Sequence, residues 1–145
     1  MQTIVIFGAS GDLTSRKLVP ALYELYRKRR LPAGTRIVGF SRTPFAHDAW
    51  REKLAESTAQ FVRENFDAGL WQSFAQDVYY HAGDADQAGD VVALAKFLDE
   101  LEGPAAAARI YYLATAPQFF EPVVLGLGSA RMVDESRGQI GRAHV

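Results

Sequence analysis

Two glycines three residues apart, Gly8 and Gly11, follow the apolar run Ile4-Val5-Ile6-Phe7 and precede an amphipathic stretch. The run reads as a buried strand and the stretch as a helix, so the glycines stand where one hands over to the other. A helix beginning there carries unpaired N–H groups and the positive end of its dipole, which together suit a pyrophosphate. Gly8 permits the tight turn, and Gly11 lets the backbone approach a ligand with no Cβ in the way. The strict dinucleotide fingerprint has a third glycine; Thr14 stands near that place here. A plain strand-to-helix turn would use the same glycines, so the surrounding βαβ unit has to decide.

A second apolar segment, Arg36-Ile37-Val38-Gly39-Phe40-Ser41-Arg42, reads as the next strand and runs into Thr43-Pro44. Domains that bind NAD place a carboxylate near this strand end to accept the ribose hydroxyls. None is present at this edge. A carboxylate would repel a 2′-phosphate, whereas the Arg42 guanidinium binds one through charge-assisted hydrogen bonds and could also stack on adenine. The coenzyme expected is therefore NADP, against the alternative of an arginine merely exposed at a strand end. Ser10 is a second phosphate donor or else a helix cap. Asp12, unfavourable beside a pyrophosphate, reads as a cap. Lys17, a turn and a half past Gly11, faces the site or solvent. Asp84 and Asp86 read as solvated Asx turns and His47 and His81 as surface or packing residues. No residues have metal-ligand spacing.

The elements that would position these groups alternate. A helix is expected over Leu13–Arg30, with Leu18, Leu22, Leu25 and Tyr26 as its apolar stripe and Pro20 awkwardly inside it. A long helical region from Ala46 is expected to split near Asp67-Ala68-Gly69, its aromatics and Phe61 facing the core. A short third strand over Gln76–Gly83, a helix over Ala88–Glu102 and a fourth strand over Arg109–Thr115 follow. Phe119–Leu127 begins another helix. This order predicts an α/β, Rossmann-type doubly wound parallel sheet with strand order 3-2-1-4, whose ligands bind beyond the strands' C-terminal ends where the order reverses.

The sheet is expected to be incomplete at its C-terminal side. Residues 1–138 form the expected NADP-binding unit; residues 139–145 are set aside as a non-native tail, since Ile140-Gly141-Arg142-Ala143-His144-Val145 matches one reading frame of a common sequencing adaptor. Strand four would then expose its edge. With 145 residues and a formal net charge of -1, the chain has length for one core and no electrostatic support for nucleic-acid binding. The absence of cysteine excludes disulfides and thiolate metal sites. No apolar run is long enough for a membrane span and no targeting segment is seen, so a cytoplasmic location is the expectation.

The motif Gly8-Ala9-Ser10-Gly11-Asp12-Leu13 with Arg16-Lys17, the segment Ile37–Arg42, Tyr111-Tyr112-Leu113-Ala114-Thr115-Ala116-Pro117 and Phe119-Phe120-Glu121 resemble the amino-terminal coenzyme domain of the glucose-6-phosphate dehydrogenases. The resemblance runs from about residue 4 to 138. It implies NADP-dependent oxidation of glucose 6-phosphate to the phosphogluconolactone, the first oxidative step of the pentose phosphate pathway, in a homo-oligomeric parent. By position it implies that Gly8, Ala9, Ser10, Gly11, Asp12, Leu13, Thr14 and Ser15 wrap the pyrophosphate, with Ser10 and Arg42 on the 2′-phosphate. It places Lys17 near coenzyme and substrate, and Pro117 beside the nicotinamide. Phe120 stands where some members carry a coenzyme-contacting tyrosine, and keeps the ring without the hydroxyl. The family's Glu-Lys-Pro-Phe-Gly strand, substrate-phosphate motif and catalytic His/Asp pair match nothing here, so no catalytic residue is assigned and the chain alone is expected to be inactive. Alternatives are an extended short-chain dehydrogenase or epimerase, which would carry a third glycine and a Tyr-x-x-x-Lys pair, and a non-catalytic NADP-sensing module.

Overall fold

The computed structural model describes residues 2–103 and 108–114 and, as backbone, residues 138–142. Pro117, Phe120 and the helix expected over Phe119–Leu127 lie outside these residues. Strand β1 (Gln2–Phe7) is central and parallel to β2 (Thr35–Ser41) on one side and β4 (Ala108–Leu113) on the other. Strand β3 (Val78–Ala82) pairs parallel with β2, and β5 (Gly138–Arg142) with β4. The order β3-β2-β1-β4-β5 contains the expected reversal beside β1.

Strand β5 corrects one expectation. The edge of β4 is not open, because Arg109–Leu113 pair in register with Gly138–Arg142, and residues 139–142 belong to the expected tail. Strand pairing joins backbone to backbone, so an exposed edge recruits an extended segment with little regard to side-chain identity.

Each face of the sheet buries one side-chain row. Ile4, Ile6 and Ile37 pack beneath Val19, Leu22 and Tyr23 of α1 (Val19–Arg27), Trp50 and Leu54 of α2 (His47–Val62), and Trp71 and Phe74 of α3 (Ala68–Ala75). Val5, Phe7, Val38, Phe40, Tyr111 and Leu113 meet Val91, Leu94 and Leu98 of α4 (Ala88–Glu102) on the other. The break between α2 and α3 falls at Asp67, whose carboxylate accepts the Leu70 amide at 2.9 Å as an N-cap.

Helix α1 differs from the expectation at its start and on its face. A π-helical turn, Thr14–Leu18, precedes it, and the Val19 amide reaches back five residues to the Thr14 carbonyl. This wider turn sits just before Pro20, which has no N–H to give and whose ring would crowd the carbonyl four residues back in a regular helix. The buried stripe centres on Tyr23, ringed by Phe66, Trp71 and Phe74. Leu25, about 200° round the helix from it, is exposed rather than in the stripe. Phe61, in the last turn of α2, is likewise half exposed.

Candidate functional site

The turn after β1 is built on Gly8, whose φ of 82° is a conformation that L side chains rarely adopt. Its amide donates to the Phe40 carbonyl at 3.0 Å and that of Ala9 to the same oxygen at 3.4 Å. These two donors therefore hold the turn against β2. The Gly11 amide closes the turn onto the Gly8 carbonyl at 3.1 Å, and the helix's first backbone bond runs from Ser15 to the Gly11 carbonyl. The amides of Asp12, Leu13 and Thr14 are thus the first-turn donors without an intrahelical acceptor. Neither the Ser10 hydroxyl nor the Asp12 carboxylate, both expected as caps, accepts one of them among the described hydrogen bonds. The helix start is left uncapped by side chains.

Thr14 is fully buried and turns its hydroxyl back to the Gly8 carbonyl at 3.4 Å, tying the loop from beneath. Ser15 bonds the Asp12 carbonyl. The Ser10 hydroxyl accepts from that of Thr43 at 3.4 Å, joining the first turn to the one after β2. Arg42, exposed between Ser41 and Thr43, shares an open cleft of about 300 Å³ with Gly8, Ser10 and Gly11. Residues 83–86, after β3, and Ala114, after β4, complete the lining. The cleft lies beyond the C-terminal ends of β1 to β4, where the strand order reverses, as doubly wound sheets place their ligands.

The residues fit an extended, phosphorylated coenzyme. A Cβ built on Gly11 would meet only the Gly8 carbonyl, at 3.4 Å, and the φ of Gly11 is not positive. Neither packing nor backbone conformation requires glycine there, and its missing side chain leaves the cleft side open to close approach. Gly39 is the opposite case: a Cβ would come within 2.5 Å of the Trp50 ring and 2.8 Å of the Ala9 Cβ. Its glycine lets helix and turn close over β2.

The acidic end of the cleft behaves as the sequence suggested. Asp84 accepts the Asp86 amide at 2.9 Å in an Asx turn, and Asp90 accepts the Asp84 amide at 2.9 Å. His47 Nδ1 accepts the Tyr80 amide at 2.9 Å and its ring stacks on Phe97, a packing role. His81 lies between Phe40 and Phe97, and burial pulls its pKa below the usual histidine value. Lys17 is exposed and outside the cleft lining. Sequence reasoning missed Thr43 and Tyr80. Tyr80, 4% exposed, bonds through its hydroxyl to the Ser41 hydroxyl and the Thr43 carbonyl. Only the Thr-Pro that follows Arg42 hinted at a built turn. No metal-binding cluster occurs among the described residues, and no helix of theirs is long and apolar enough to cross a membrane.

A parallel sheet of this order, with a glycine turn and an open helix N-terminus at its reversal point, defines a dinucleotide-binding domain. Residues 5–142 match the family described as glucose-6-phosphate dehydrogenase, NAD binding domain, and the chain belongs to that family. It is 33% identical over 138 residues to the glucose-6-phosphate 1-dehydrogenase of Chlamydia pneumoniae, covering 94% of this chain and 27% of that protein. With the enzyme of Ceratitis capitata the identity is 38% over 127 residues, 86% of this chain and 23% of the relative. The crystal structure of glucose-6-phosphate 1-dehydrogenase from Mycobacterium avium superposes with a TM-score of 0.86 at 26% identity, over 99% of this chain and 30% of that one. A glucose-6-phosphate dehydrogenase in complex with its substrate glucose-6-phosphate gives 0.85 at 33% identity, over 97% and 29%. The chain spans about a quarter of the length of the curated relatives it matches. The extended short-chain dehydrogenase reading receives no support from these matches.

Proposed function

We propose that this chain is the coenzyme-binding portion of an NADP-dependent dehydrogenase that oxidises glucose 6-phosphate. The observation carrying the NADP reading is that Arg42 and the Gly8–Gly11 turn line one cleft, with no carboxylate at the end of β2. In this reading the first-turn amides at Asp12, Leu13 and Thr14 take the pyrophosphate, with Ala9 and Ser15 shaping the turn. Ser10 and Arg42 hold the 2′-phosphate, whose charge a guanidinium matches bidentately. By family resemblance, Lys17 lies near coenzyme and substrate, Pro117 beside the nicotinamide, and Phe120 packs or stacks against the coenzyme.

When bound, the nicotinamide ring supplies the two-electron acceptor for the sugar's oxidation. The residues described here bind and orient the coenzyme; holding the sugar against it and removing its hydroxyl proton fall to the remaining length of the parent protein. The purified chain is therefore expected to bind NADP and to show no turnover of glucose 6-phosphate. Calorimetric titration with NADP and NAD tests the assignment: NADP should bind more tightly, and Arg42→Ala should remove about 1.5–3 kcal/mol of NADP affinity while sparing NAD. Equal affinities in the unaltered chain would refute it.

A further inference from the structure

Arg42 is exposed, and among the described residues its guanidinium makes no hydrogen bond or ion pair. Its aim into the cleft therefore depends on the backbone either side of it. That backbone leaves the sheet at Ser41, where the ladder of β2 ends. One side chain then takes over. The Tyr80 phenol, on the neighbouring strand, bonds the Thr43 carbonyl and the Ser41 hydroxyl and lies 3.4 Å from the Ser41 carbonyl.

The phenol has one proton, and the Thr43 carbonyl is its close acceptor; the Ser41 hydroxyl donates to the phenol oxygen. The ring is held on several sides. It packs against Trp50 with centroids 5.1 Å apart and edge-on to Phe45 at 5.3 Å, and the Tyr80 amide is held by His47 Nδ1 at 2.9 Å. Thr43, thus anchored through its carbonyl, presents its own hydroxyl to Ser10.

We propose that Tyr80 is the positioning residue of the 2′-phosphate site: its buried hydroxyl pins the residues flanking Arg42 and so fixes where the guanidinium meets the coenzyme. This rests on the NADP reading above. Tyr80 touches no ligand in this role; it acts through Arg42 and discriminates NADP from NAD.

Tyr80→Phe keeps the ring and removes only the hydroxyl. Affinities for NADP and for NAD are measured on the unaltered chain, Tyr80→Phe, Arg42→Ala and the double variant, with a thermal melt of each. The expected result is a loss of about tenfold in NADP affinity for Tyr80→Phe, with NAD affinity unchanged and no further loss when the change is added to Arg42→Ala. An unchanged NADP-to-NAD ratio, an equal weakening of both coenzymes, or an effect that persists in the Arg42→Ala background would each overturn the proposal. If Tyr80→Phe does not fold, Ser41→Ala takes away the hydroxyl that donates to the phenol; a fall of about threefold in the ratio is expected, and an unaltered ratio overturns the proposal. Failure of the underlying reading looks different, because Arg42→Ala alone would then leave the NADP preference intact.

Discussion

The Gly8 amide donates to the Phe40 carbonyl at 3.0 Å, across the junction where β1 and β2 both end. That bond spends on structure a donor that the sequence motif suggests for the ligand. It also separates the duties of the two glycines. Gly8 holds a positive φ and fastens the turn to β2; Gly11, three residues on, has room for a side chain on the protein's side and faces the cleft.

The two alanine variants should consequently behave in opposite ways. Gly8→Ala forces a Cβ into the left-handed region and is expected to cost about 1–2 kcal/mol of stability, seen as a lower denaturation midpoint. Gly11→Ala should leave the midpoint unchanged or slightly raised while weakening NADP binding at least about tenfold by blocking close approach. A destabilised Gly11→Ala chain with normal coenzyme affinity would contradict this division.

Much of this layout is visible in the sequence, because hydrophobic period and turn chemistry are local. The strand at Ile4–Phe7, the strand ending at Ser41-Arg42 and the break at Asp67 all follow from such signals. The strand order around β1 follows from right-handed crossovers. What is not local escapes. The commitment of the Gly8 and Ala9 amides to Phe40, and the hold of Tyr80 on Thr43, join residues more than thirty apart, and nothing in either segment announces them. The pairing of β5 escapes for another reason: an edge strand reads its neighbour's backbone and not its residue types.

His81 is expected to make the stability depend on pH. Burial between Phe40 and Phe97 lowers its pKa in the folded chain, with Asp90 opposing and His47 reinforcing the shift. The unfolded chain, with an ordinary value near 6.5, binds the proton more readily. The neutral ring's contribution is accordingly complete above about pH 6.5 and is lost as pH falls from there towards the lower folded value. Chemical denaturation between pH 5 and 8, by about half-unit steps, should show this loss in the parent chain and a shallower one in His81→Phe. A parent and variant with parallel profiles would rule the histidine out as the source.

The end of α1 offers a stabilising change. Arg29 has a φ of 59°, and its amide and that of Arg30 reach back to the Tyr26 and Leu25 carbonyls, at 3.0 and 2.8 Å. These are the bonds of a Schellman turn, in which the left-handed residue is usually glycine. Arg29→Gly relieves the Cβ penalty at some entropic cost and should raise stability by up to about 1 kcal/mol, measured by denaturant titration.

The ion cluster at the start of β4 implies a large single-site loss at Glu102. Arg109 is nearly inaccessible; its Nε bonds both carboxylate oxygens of the equally buried Glu102, and its Nη2 bonds Glu102 at 2.6 Å and Asp99 at 2.8 Å. Burial alone would lower the arginine's pKa, but the bonds to Glu102 and Asp99 outweigh it and hold the charge in place. Removing Glu102 takes away the buried carboxylate and leaves the guanidinium paired with the mostly exposed Asp99. Glu102→Ala is therefore expected to cost about 3–5 kcal/mol, enough to unfold a marginal domain. Asp99 is mostly exposed, so Asp99→Ala should cost about 1 kcal/mol or less. Arg109→Met with Glu102→Leu replaces the buried pair by apolar volume and should recover most of what Glu102→Ala loses. Comparing urea midpoints of these variants checks the ordering, and a Glu102→Ala chain as stable as Asp99→Ala would show that the buried carboxylate is not what balances Arg109.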